Sequence, residues 1–75
     1  MDKAKRATLV TYMRTRGNDC REEARSDIED ALALILDPLG DPARIEDLLS
    51  GALVNMGEAR GFFNTAADVE SKEDT

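Results

Sequence analysis

Apolar residues recur along this chain at helical spacing in three stretches separated by two breaks. The last stretch is the most regular: Ile45, Leu49, Ala52, Met56, Ala59, Phe63 and Ala66 follow alternating steps of four and three. That is the signature of one apolar face on an amphipathic helix. Alanine falls at every seventh residue of it (Ala52, Ala59, Ala66) and a large residue at every seventh (Leu49, Met56, Phe63). Such alternation along a seam lets a partner helix approach closely and interdigitate. Leu48, Leu53 and Phe62 widen the stripe. Asp41 before Pro42 supplies a capping acceptor, followed by a residue whose missing N–H does no harm at the first helical position. Glu46 and Asp47 follow in the first turn, where the helix dipole favours them. The pattern predicts a helix over 42–67, with residues 70–75 a frayed acidic tail.

Upstream, Cys20, Ala24, Ile28, Ala31 and Ile35 predict a second helix over 19–36, with Asp19 and Glu22 at capping-box spacing. Its second half is apolar on nearly every side, since Ala33 and Leu34 point away from the stripe, and such a helix expects more than one neighbour. The run DPLGDP, residues 37–42, breaks it. The first stretch, Lys3 to Arg16, carries Leu9, Val10 and Met13 at helical spacing, although TLVTYM also suits a strand. It is read as a helix over 3–16 that Gly17 and Asn18 terminate.

The expected fold is therefore all-α, one small domain over residues 1–69. A short N-terminal helix precedes an antiparallel helical hairpin, completed as a dimeric helical bundle. Its core should hold Leu9, Met13, Ile28, Ala31, Leu32, Ile35, Leu49, Ala52, Leu53, Met56 and Phe63. Dimerisation is expected because 75 residues make a marginal core that needs a supplement. The single cysteine forms no internal disulfide, and without histidine the usual zinc sites are missing.

Gly57 and Gly61 raise a separate question, since each should cost about 0.8–1 kcal/mol relative to alanine inside a helix. They lie behind the main seam with Ser50 and Val54. On one reading the helix bends or stops between them, or carries two surface glycines at a loss; on a second, the four residues form a narrow small-residue face for another helix. On the second reading Ala33, Leu34, Ser50, Val54, Gly57, Gly61 and Phe62 are the candidate partner or dimer contacts.

Charge is uneven. Residues 1–25 carry +3 and residues 26–75 carry −9, within a total of −6. Asp27, Asp30, Glu46 and Asp47 are a candidate acidic surface for a partner protein, or simply solvated helix faces. Lys3, Lys5, Arg6, Arg14 and Arg16 could instead neutralise phosphates, and a strand there would evoke paired-strand DNA readers. Chemistry is sparse: there is no histidine and no phosphate-binding glycine loop. Cys20, beside Arg21, is the sole candidate nucleophile, and a small residue on the core stripe is the simpler reading.

These observations point to a non-catalytic regulator, adaptor or inhibitor that binds another protein through apolar helix faces framed by acidic groups. It should need no cofactor and no metal. The alternative is a dimeric nucleic-acid-binding regulator. The free thiol, the lack of an apolar leader and an apolar run of only six residues, Ala31 to Leu36, suggest the cytoplasm and no membrane. Replacing Ala59 by Leu should overpack the close seam and destabilise the fold by about 1–3 kcal/mol. An unchanged midpoint in thermal unfolding would mean that no helix presses on Ala59.

Overall fold

A computed structural model of the chain describes residues 2–72. It contains two helices, α1 (Lys3–Leu36) and α2 (Pro42–Ser71), packed side by side as an antiparallel hairpin. The hairpin is a rod with Cα extents of 60 × 13 × 12 Å. Among the described residues there is no strand, so residues 7–14 are helical.

The expected first and second helices are one. Gly17 and Asn18 do not end α1, and Asp19 is not a cap; it lies in mid-helix, 3.8 Å from Arg16. The reason is tertiary. Gly17 is buried in the helix interface, and a Cβ there would sit 2.8 Å from the Phe63 ring. The glycine makes room for an aromatic ring 46 residues later in the chain, which no local turn rule registers. α2 also runs further than expected, through Glu70 to Ser71, while residues 73–75 of the expected tail lie outside the described residues.

Both starts are capped as their sequences dictate, but the first turn of α2 holds no acidic residue: Glu46 and Asp47 lie past it, because the helix already begins at Pro42. The Asp2 carboxylate accepts the backbone N–H of Lys5 at 2.9 Å, and that of Asp41 accepts the N–H of Ala43 at 3.0 Å, ahead of Pro42. Such caps contribute about 0.5–2 kcal/mol each. Between the helices, the Asp37 carboxylate accepts the Leu39 N–H and its carbonyl accepts the Gly40 N–H, closing the turn.

The interface is built from small residues on both sides. α1 contributes Val10, Gly17, Ala24 and Ala31 at seven-residue intervals, with Cys20 beside them. α2 contributes Ala52, Ala59 and Ala66, with Leu48. Among the described residues, five of the eight buried apolar residues are alanine, and no large side chain is fully enclosed. This corrects the expected core. Ala31 and Ala52 are buried as anticipated, and Leu9, Met13 and Phe63 are partly covered. Ile28, Leu32, Ile35, Leu49, Leu53 and Met56 are exposed. When small residues meet across a seam, the backbones close up on the Cβ atoms and the large neighbours at the next helical positions are pushed to the rim.

Gly40 is required by close approach: a Cβ there would lie 2.0 Å from the Leu34 carbonyl oxygen. Gly40→Ala should therefore force the turn open and lower stability by about 1–3 kcal/mol. Thermal unfolding followed by circular dichroism checks this, and an unaltered midpoint would show that the turn relaxes freely.

Candidate interaction surface

Seven-residue periodicity divides each helix into a seam and two flanks. On one flank α1 places Arg14, Arg21, Ile28 and Ile35, with Arg25 and Leu32 just outside them; α2 places Leu49, Met56 and Phe63, with Leu53 and Arg60 outside. Flanks of the same kind meet across an antiparallel pair, so all of these residues share one face of the hairpin. The grooves along this face agree. One is lined by Arg21, Leu53, Met56, Arg60 and Phe63; a second, sharing Arg21 and Met56 with it, adds Arg25 and Ile28. Towards the termini a third runs past Ala7, Thr11 and Arg14 to Glu70.

The face is graded along its length. Near the turn it is apolar, with Ile28 48%, Leu32 53%, Ile35 55% and Leu53 74% exposed. Towards the termini it becomes small and charged, closed by the ion pair between Arg14 and Glu70. This groove has cations on its rim (Arg21, Arg25 and Arg60), not only the acidic frame anticipated from sequence. Glu46 lies on its outer edge by periodicity. Asp27, Asp30 and Asp47 fall on the opposite flank, where Asp27 is half-buried beside Gly51.

The opposite flank holds a separate groove lined by Met13, Arg16, Glu58, Gly61, Phe62 and Thr65. The Arg16 guanidinium stands 5.9 Å from the centre of the Phe62 ring, a cation–π contact contributing about 0.5–1 kcal/mol at an exposed site. The small-residue strip expected on the back of α2 is therefore divided. Gly57 edges the first groove and Gly61 the second. Ser50 and Val54 are exposed, while Phe62 and Leu34 are partly buried within the hairpin. Ala33 is exposed on the outer side of α1.

Several of the basic N-terminal residues have contacts inside the chain. Arg14 pairs with Glu70, Arg16 with Asp19, and Arg6 donates to the Lys72 carbonyl. These exposed contacts are worth little individually. Lys3 and Lys5 are exposed at the start of α1.

Cys20 is buried in the seam, its Sγ 3.8 Å from the Glu58 carboxylate. Burial pushes its thiol pKa up, and the charge of Glu58 pushes it further, with Arg16 opposing. A thiol held protonated is the reverse of an activated nucleophile. Among the described residues no acidic or cysteine cluster has the geometry of a metal site, and no helix is long and apolar enough to cross a membrane.

α2 passes through Gly57 and Gly61 without interruption, and a Cβ at either would meet nothing within 4 Å. Gly57→Ala and Gly61→Ala should each stabilise by about 0.8–1 kcal/mol, raising the melting midpoint by about 4–8 °C for each kcal/mol in a domain of this size. A fall in the midpoint instead would reveal a helix pressed against that glycine.

In comparisons with known proteins, no family model matches the chain, and no curated protein or solved structure is significantly similar to it.

Proposed function

We propose that this protein is a non-catalytic regulator or adaptor that works by protein–protein association, and that the graded face between α1 and α2 is its working surface. A second copy of the chain is its first partner there, giving a dimeric four-helix bundle. One observation carries the reading. Among the described residues, ten large apolar side chains are exposed on a hairpin whose own interface encloses none completely. Six of them (Ile28, Leu32, Ile35, Leu49, Leu53 and Met56) are gathered on the turn half of one face. Scattered surface leucines are ordinary, whereas a contiguous apolar patch marks an interaction site.

The same feature explains how so thin a core could be sustained. Alanine burial across the seam removes little area from water, while covering each large side chain on the open face would add about 1.5–3 kcal/mol. The nucleic-acid alternative draws less support, because Arg6, Arg14 and Arg16 are engaged within the chain. It predicts binding that weakens steeply with salt.

Sedimentation equilibrium with reductant should give a mass of about twice 8.2 kDa, and the melting midpoint should rise with protein concentration. Leu53→Glu should lower that midpoint and shift the mass towards the monomer. At a position exposed in the working state, the same change would stay within about 0.5 kcal/mol. A wild-type monomer at all concentrations, with Leu53→Glu silent, would overturn self-association.

A further inference from the structure

The hairpin is electrostatically polar along its length, and this bears on how a second copy lies on it. Residues 21–58 form the half nearest the turn and carry three basic and ten acidic groups, a net −7. The half nearest the termini, residues 2–20 and 59–72, carries seven basic and four acidic groups, a net +3. Including Glu73 and Asp74 leaves it at +1. The apolar gradient follows the same axis: Ile28, Leu32, Ile35, Leu49 and Leu53 lie in the acidic half, and Lys3, Arg6, Arg14 and Glu70 line the groove in the basic half beside Ala7 and Thr11.

Two dimers of α-hairpins place these faces together. In one, the twofold axis runs along the rod and the turns lie at the same end, with α1 over the partner's α2. In the other, the axis crosses the rod and the turns lie at opposite ends, with each helix antiparallel to its own copy. The geometry points to the second: a head-to-tail dimer in which the acidic, apolar half of each hairpin seats on the basic half of the other. This rests on the reading of the face as a self-association surface and names its orientation.

The distribution of charge along the rod supports it. Turn-to-turn docking would lay two −7 halves side by side, a repulsion between whole ends and not a contact on the face itself, whose rim carries Arg21 and Arg25; head-to-tail docking sets each against a positive end.

The orientation is read directly from the distance between turns. Leu39 is 91% exposed in the turn, so a spin label there, on Leu39→Cys in a Cys20→Ala background, reports the separation by pulsed dipolar spectroscopy. Head-to-tail dimers should give about 50 Å, the length of the longer helix. A peak at about 10–20 Å, the scale of helix packing distances, would overturn the orientation while leaving self-association intact. A labelled chain that is folded and monomeric, together with a monomeric wild type, would overturn both. The unlabelled wild type supplies an independent readout. Raising salt from about 0.05 M to about 0.5 M screens the charges, so the dissociation constant of a head-to-tail dimer should rise several-fold. A constant that falls would indicate like-charged ends released from repulsion, against the proposal.

Discussion

Two helices of 34 and 30 residues are held together here by a ladder of side chains no larger, for the most part, than a methyl group. Everything else follows from that seam. Because Gly17, Ala24 and Ala31 face Ala52, Ala59 and Ala66, the backbones approach until Cβ atoms limit them. The next residues round each helix then flank the contact instead of filling it. Ile28, Ile35, Leu49 and Met56 are displaced to the rim by the same geometry that makes the seam tight. A close seam between small residues and an open face of large ones are thus two aspects of one packing choice.

The energetic consequence is an imbalance. An isolated hairpin of this kind removes little apolar area from water, while ordering nearly seventy residues of backbone at roughly 1–2 kcal/mol each. Caps at Asp2 and Asp41, a closed turn at Gly40 and a few surface ion pairs contribute modestly. Most of the further burial is available on the graded face, and that makes association the natural route to stability and links the fold to the proposed activity. Cys20 fits the same picture. Its burial between the helices beside Glu58 holds the thiol protonated, and its size is what the seam needs.

The connection between α1 and α2 and the regular stripe of α2 were legible in the sequence because their causes are local. An aspartate before proline caps the next helix wherever it lies, and alanine every seventh residue implies a close neighbour whatever that neighbour is. Gly17 was misleading for the opposite reason. Locally, Gly17–Asn18 is a helix terminator; in the folded chain Gly17 is a socket for Phe63, and continued seam periodicity from Val10 through Gly17 to Ala24 outweighs propensity. The repeat at positions 10, 17, 24 and 31 was visible in principle, but glycine gives no hydrophobic signal.

The candidate surface divides in the same way. That this chain has more apolar surface than one small fold can enclose, that its charge is segregated, and that its helices are amphipathic were set by residue order alone, since they depend on composition and helical period. Which of the apolar residues are enclosed was decided only by tertiary structure. A stripe such as Cys20, Ala24, Ile28, Ala31 and Ile35 spans about 80° of the helix circumference, and periodicity does not say where along its width the partner helix is centred. Packing centred it on the alanines, because there the backbones come nearest, and so left the isoleucines facing outward.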